Sequence, residues 1–146
     1  QLNKPVYAGI AILNLSKWIM YDLFYNVLRK KYPDCKMLYT DTDSFILEIP
    51  TDDFYADLIN DEEFRDHWDL SNYSNKHFMW DGLSEEEINK IKKKNKKVLG
   101  KLKDEMGGIP ITEFVALRAK MYSVIDEEGS ERKFTGKGIH KKLLKS

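Results

Sequence analysis

The chain has 146 residues, 42% of them hydrophobic and 33% charged, with 24 Lys and Arg against 24 Asp and Glu. These proportions suit one domain with a core and exclude a disordered tail; no stretch approaches the roughly 18 uncharged apolar residues of a membrane span, and Gln1 to Val6 are read as carrying no basic-then-apolar leader. Cys35 is the single cysteine, which excludes an internal disulfide and a cysteine-based zinc centre, so an intracellular, reducing compartment is expected.

The zero net charge hides a polarity along the chain. Residues 1–80 carry 8 basic against 13 acidic side chains, a balance of −5, and residues 81–146 carry 16 against 11, a balance of +5. The positive charge is clustered in an acid-free lysine run from Asn89 to Lys103 and in a basic segment from Arg132 to Ser146. An acidic half followed by two basic segments suits a protein that holds metal at one place and phosphate at another, but from charge alone two solvated lysine faces are the favoured reading.

In chain order, the spacing predicts a helix from about Ala8 to Lys31. Leu13, Met20, Phe24 and Val27 fall on one side of it, and Asp22, Asn26 and Arg29 on the other. Pro33-Asp34 ends it. Lys36 to Tyr39 and Phe45 to Ile49 are apolar, strand-like runs around the polar centre Thr40-Asp41-Thr42-Asp43-Ser44, a hairpin signature over 36–49. Thr51 is read as the cap of a short helix, and Ser84 with Glu87 as the capping box of another that ends in the lysine run. The lysine run itself is read as an ordinary charged helix. Val98 to Glu105 and Ile111 to Ile125 are expected to pair antiparallel across a Gly107-Gly108-Ile109-Pro110 turn, with Asp126 to Ser130 turning into a further strand near Lys133. Helices interleaved with hairpins give an α+β fold. His67, His77 and His140 share no metal-ligand spacing, and Trp18, Trp68 and Trp80 are read as packing residues.

The chemistry concentrates in Asp41-Thr42-Asp43. Two carboxylates this close on a tight turn raise each other's cost of ionisation, and a magnesium ion, which takes oxygen ligands, removes that cost. A plain polar turn is the alternative, since Asp, Thr and Ser readily hydrogen-bond their own backbone.

The string Tyr39-Thr40-Asp41-Thr42-Asp43-Ser44 between apolar strands resembles the YxDTDS motif of family B DNA polymerases. Lys4-Pro5-Val6-Tyr7 ahead of an apolar helix, Leu117-Arg118-Ala119-Lys120-Met121-Tyr122 as a KxY motif, and the stretch Val98 to Glu105 resemble the protein-primed branch, in particular its Maverick/Polinton-type members. The resemblance covers nearly the whole chain. It implies the later part of an antiparallel palm over 1–126, packed by helices, and the start of a thumb over 127–146. It also implies template-directed nucleotidyl transfer from dNTPs to a primer 3′ end by a two-metal mechanism.

Carried over by position, the resemblance makes Asp43 the main ligand for Mg2+ or Mn2+, with Asp41 as its acidic partner. Tyr39, Thr42 and Ser44 shape the hairpin; for Tyr39 a core aromatic is an equal reading. Lys120 and Tyr122, expected two apart on one strand and therefore on one face, hold the primer end. Arg118 is placed on that face too, and Lys133 and Lys137, with Arg132, Lys141 and Lys142, lie where the family's thumb tracks the duplex. Primer-template DNA, dNTPs and a terminal protein are the implied partners.

The family takes a further metal-binding aspartate and its nucleotide-binding lysine and tyrosine from earlier segments that these residues do not include. The expectation is therefore a partial polymerase, inactive alone, whose missing motifs lie on the remainder of a longer chain or on a second one. The alternative is a non-catalytic relic that binds nucleic acid through its basic half.

Overall fold

The computed structural model describes residues 4–136, with the backbone alone for 131–135. Over the described residues the fold is α+β, built from several helices, two antiparallel sheets and one short parallel pair, and the chain divides into two compact units between Arg65 and Asp66.

The first unit starts with helix α1 (Val6–Asp22), which runs directly into a π-helical turn (Leu23–Leu28) and a final turn, α2 (Arg29–Lys31). Pro5 precedes the helix, where a missing N–H costs nothing, and its carbonyl accepts the first bonds, from Ala8 and Gly9 N–H. The buried face is Met20, Leu23, Phe24 and Leu28. It differs from the expected one because Leu23 and Leu28, five residues apart, lie about 140° apart at 3.6 residues per turn. The wider π turn, with its i→i+5 bonds, brings them together. Val27 is only half-buried, and Leu13, expected in the apolar face, is 54% exposed. Trp18 is 65% exposed, which corrects its reading as a packing residue. Val6, Tyr7, Ile10, Ile12 and Leu15 are exposed as well, so apolar side chains surround this half of the helix on every side.

After the Pro33-Asp34 break, β1 (Lys36–Asp41) and β2 (Ser44–Glu48) form the expected antiparallel hairpin, with one bulge between Met37 and Tyr39. Phe45 on β2 meets Phe24 of the π turn with ring centres 5.9 Å apart, which fixes the hairpin to the helix. Helix α3 (Phe54–Asn60) is capped by Asp53, whose carboxylate accepts Tyr55 and Ala56 N–H. Thr51, expected to be that cap, instead donates its hydroxyl to Asp57 Oδ2 at 2.7 Å. Asp57 Oδ2 also accepts the hydroxyl of buried Tyr32 at 2.7 Å. Burial pushes the Tyr32 phenol well above its ordinary pKa, and the adjacent Asp57 carboxylate adds to the rise. Burial also works against ionised Asp57, but the Tyr32 and Thr51 donors outweigh it and hold this carboxyl below its usual range. Helix α4 (Glu62–Arg65) adds Phe64, which packs edge-on against Tyr32 and lies under the Lys31 ammonium at 4.9 Å.

In the second unit β3 (Trp68–Asp69) and β4 (Leu102–Lys103) pair in parallel. Helix α5 (Glu85–Lys94) begins at the expected capping box: Ser84 Oγ accepts Glu87 N–H while Glu87 Oε2 accepts Ser84 N–H. Strands β5 (Ile111–Arg118), β6 (Met121–Asp126) and β7 (Glu131–Gly136) form an antiparallel sheet in that order. The expected pairing of Val98–Glu105 with Ile111–Ile125 does not form. Asp104 is the reason: its carboxylate accepts Met106 and Gly108 N–H, both at 2.8 Å, and the Tyr73 hydroxyl at 2.9 Å, turning the Gly107-Gly108 segment into a loop on the core. Gly108 has φ +97°, and a Cβ there would strike the His77 ring. His77 accepts Met79 N–H at Nδ1, leaving Nε2 to donate to Gly108 O at 3.0 Å, so its role is structural as expected. Leu70, Tyr73, Met79, Trp80 and Ile88 fill the interior. No helix among the described residues is long and apolar enough to cross a membrane.

Candidate functional site

The hairpin brings Tyr39, Asp41, Thr42, Asp43 and Ser44 to one end. Asp41 and Ser44 are the last paired residues, so Thr42-Asp43 is a two-residue turn. Such turns match the twist of their strands only with positive φ, which Asn and Gly supply cheaply; here Thr42 adopts φ 57°. A β-branched residue in that region carries about 1–3 kcal/mol of strain. Three local bonds hold it. Asp43 N–H donates to Asp41 O at 2.6 Å, Ser44 Oγ to the same carbonyl at 3.2 Å, and Thr42 Oγ1 to Asp41 Oδ1 at 3.1 Å. Alternation along β1 puts Met37, Tyr39 and Asp41 on its half-buried face, whereas Asp43 is exposed at the turn. At the other end of the hairpin Lys36 Nζ meets Glu48 Oε1 at 2.9 Å.

Beside the turn lies a groove of about 310 Å³ lined by Ile10, Leu13, Asn14 and Lys17 of α1 and by Thr42. Sequence reasoning gave this helix a packing role only and missed the two polar residues. Asn14 and Lys17 are one turn apart, an i, i+3 pair that lies on one helix face, and that spacing was the available signal.

Arg118, Lys120 and Tyr122 gather at the β5–β6 end in the second unit, in an arrangement different from the expected one. Arg118 closes β5, Ala119-Lys120 is the turn, and Tyr122 lies on β6, paired with Ala116 on one side and Thr135 on the other. Lys120 therefore does not share a strand face with Tyr122. Its φ of 59° ends the strand, and no glycine or asparagine marks the turn in the sequence. Tyr122 and Lys120 are half-buried, Arg118 is exposed, and the Tyr122 ring lies 6.1 Å from that of Phe114. Lys133 falls on β7 as expected, where the backbone alone is described. Lys137, His140, Lys141 and Lys142 lie outside the described residues.

Among the described residues no group of three or more His, Cys, Asp and Glu is placed to hold a metal ion. Asp41 and Asp43 are a pair of hard oxygen donors, which is the one or two carboxylates magnesium commonly takes, the rest of its shell being water and substrate phosphate. The donor chemistry therefore fits a metal shared with ligands from elsewhere. It does not make a closed site. Comparison with protein-family models, with curated proteins and with solved structures gives no match to this chain.

Proposed function

We propose that the chain is part of a protein-primed family B DNA polymerase, carrying the later palm and the start of the thumb. The observation that carries this reading is the strained Thr42 between two aspartates at the tip of an antiparallel hairpin, in the string Tyr39-Thr40-Asp41-Thr42-Asp43-Ser44. Strain kept at a polar, exposed turn implies that the turn is shaped for something other than stability. A second strained turn, at Lys120, falls in the other motif of the same resemblance.

In this reading Asp43 and Asp41 are the ligands for magnesium or manganese, which when bound would neutralise triphosphate charge and favour attack by the primer hydroxyl. The chain's own contribution is positioning. Thr42 keeps an Asp41 oxygen oriented by its hydroxyl, exposed Asp43 is free to reach a ligand, and Lys120 with Tyr122 contacts the primer backbone without reading sequence. Further carboxylates and the nucleotide-binding residues come from other segments of the polymerase. A relic that binds nucleic acid without metal is the second reading, and the feature that supports it is the excess of basic over acidic side chains in residues 81–146, 16 against 11. Manganese titration of the chain with Asp41→Asn and Asp43→Asn separates the two. The polymerase reading requires manganese binding that weakens in both variants, most in Asp43→Asn; equal behaviour of all three proteins supports the relic.

A further inference from the structure

The lysine run, expected to be an ordinary charged helix, splits into two populations. Lys92 Nζ donates to Tyr73 O and Asn75 Oδ1, both at 2.6 Å, and so ties α5 to the core loop. Lys94 and Lys101 share Asp66, each at 3.1 Å, and Lys103 lies 3.9 Å from Asp69. Lys93, Lys96 and Lys97 are exposed and have no side-chain partner among the described residues.

Lys93 sits in the last turn of α5, and Lys96 and Lys97 stand on the turn that follows, whose backbone is anchored. Buried Asn95 donates its amide to Asp66 O at 2.9 Å and Trp68 O at 3.0 Å, and Lys97 N–H donates to buried Asp69 Oδ2 at 3.1 Å. Lys97 has φ 60°. The described residues contain three non-glycine positions with positive φ, and the other two are Thr42 and Lys120. Helix-end electrostatics explains Lys92 to Lys94, which sit in the last turn of α5, but not Lys96 and Lys97, which lie beyond it. Between Lys92 and Lys103 the chain carries seven lysines and no acidic residue, and Asp66 and Asp69 pair with the side chains of three of them, Lys94, Lys101 and Lys103, so the turn is electropositive. Leu99, 97% exposed next to Gly100, gives it an apolar tip.

We propose that Lys93, Lys96 and Lys97 form a second phosphate-binding site of the second unit, which holds the backbone of duplex DNA independently of sequence and of metal. The inference rests on the polymerase reading in taking DNA as the polyanion. Its chemistry is ammonium groups on a fixed backbone, releasing counterions as they meet phosphates, with Leu99 packing against the sugar edge. An anionic lipid surface is the competing occupant, and Val98 and Leu99, the two exposed apolar side chains of the turn, offer it only a small apolar area.

The test is binding of the whole chain to a labelled mixed-sequence primer-template duplex in EDTA, over about 50 to 200 mM KCl. The expected result for Lys93→Gln/Lys96→Gln/Lys97→Gln is at least a tenfold loss of affinity at the lowest salt, with a salt slope smaller by about 0.9 for each engaged lysine. A second variant, Lys97→Gly, separates binding from folding: it keeps the left-handed backbone, so its Tm rises or holds while its DNA affinity falls. Unchanged affinity and slope in the folded triple variant would overturn the proposal. So would absence of DNA binding by the parent chain, or variant-sensitive binding to phosphatidylserine vesicles with DNA binding unaffected. Because metal is excluded, failure of the polymerase reading, seen as Asp43-independent metal binding, leaves this outcome readable by itself.

Discussion

The Thr42 hydroxyl donates to Asp41 Oδ1 at 3.1 Å while the Thr42 backbone lies in the left-handed region at φ 57°. One residue thus sets the curvature of the turn and orients the carboxylate before it, at the expense of local strain. Thr42→Gly is expected to raise stability by up to about 1 kcal/mol, since relief of strain exceeds the added chain entropy. Thr42→Val keeps the strain, loses the hydroxyl bond and should cost about 1 kcal/mol. Urea midpoints of the two variants check this, and a loss in Thr42→Gly as large as that in Thr42→Val would show that the turn is unstrained.

Gly108→Ala is expected to destabilise the second unit severely, by about 3 kcal/mol or more. The added Cβ strikes the His77 ring, comes to 3.0 Å from Tyr73 Cδ1, and the position has φ +97°. Thermal unfolding measures it. A shift of less than about a degree would mean that the loop is free to move away from Tyr73 and His77.

Tyr32→Phe removes one of the two hydroxyls that Asp57 Oδ2 accepts, leaving Thr51. The loss should be about 1–2 kcal/mol at neutral pH. Asp57 is held below the usual carboxylate range in the native state, so its contribution is fully present above that range and is lost as pH falls through the depressed value. The gap between Tyr32→Phe and the parent should therefore narrow in acid, as followed by urea unfolding from neutral pH downward.

Asp66 behaves similarly at the surface. Hydrogen bonds from Lys101 and Lys94 lower its pKa to about 2. Its side chain is 44% exposed, so Asp66→Asn should cost no more than about 1 kcal/mol at neutral pH once solvent screening is allowed for. Because the folded pKa is lowered, that contribution is complete above the ordinary range of about 3.9 and is lost as pH falls toward about 2. It should also shrink in 1 M salt. A cost independent of both pH and salt would assign Asp66 a packing role.

Much of this was legible in the sequence where the signal is local. The hairpin over 36–49 was readable because apolar alternation flanks a polar centre, and the α5 start because Ser84 and Glu87 satisfy each other's backbone donors. What escaped depends on distant partners or on unusual backbone. Leu102 pairs with Trp68 across 34 positions, and no local pattern announces a two-residue parallel bridge. The Ala119-Lys120 turn is invisible to turn chemistry because a lysine takes the conformation usually given to glycine. The burial of Leu23 with Leu28 needs a π turn, whose period differs from the one used to read the helix. At the candidate site, sequence picked out the carboxylates and missed Asn14 and Lys17, whose role as groove lining depends on where α1 lies relative to Thr42.

The most direct test of the central claim is the magnesium dependence of primer-template affinity, measured by calorimetry for the chain and for Asp43→Asn. The account predicts tighter DNA binding on adding magnesium to the parent chain, and no such gain in Asp43→Asn. Identical magnesium responses in the two proteins would contradict it and leave the hairpin tip as a strained turn without a metal.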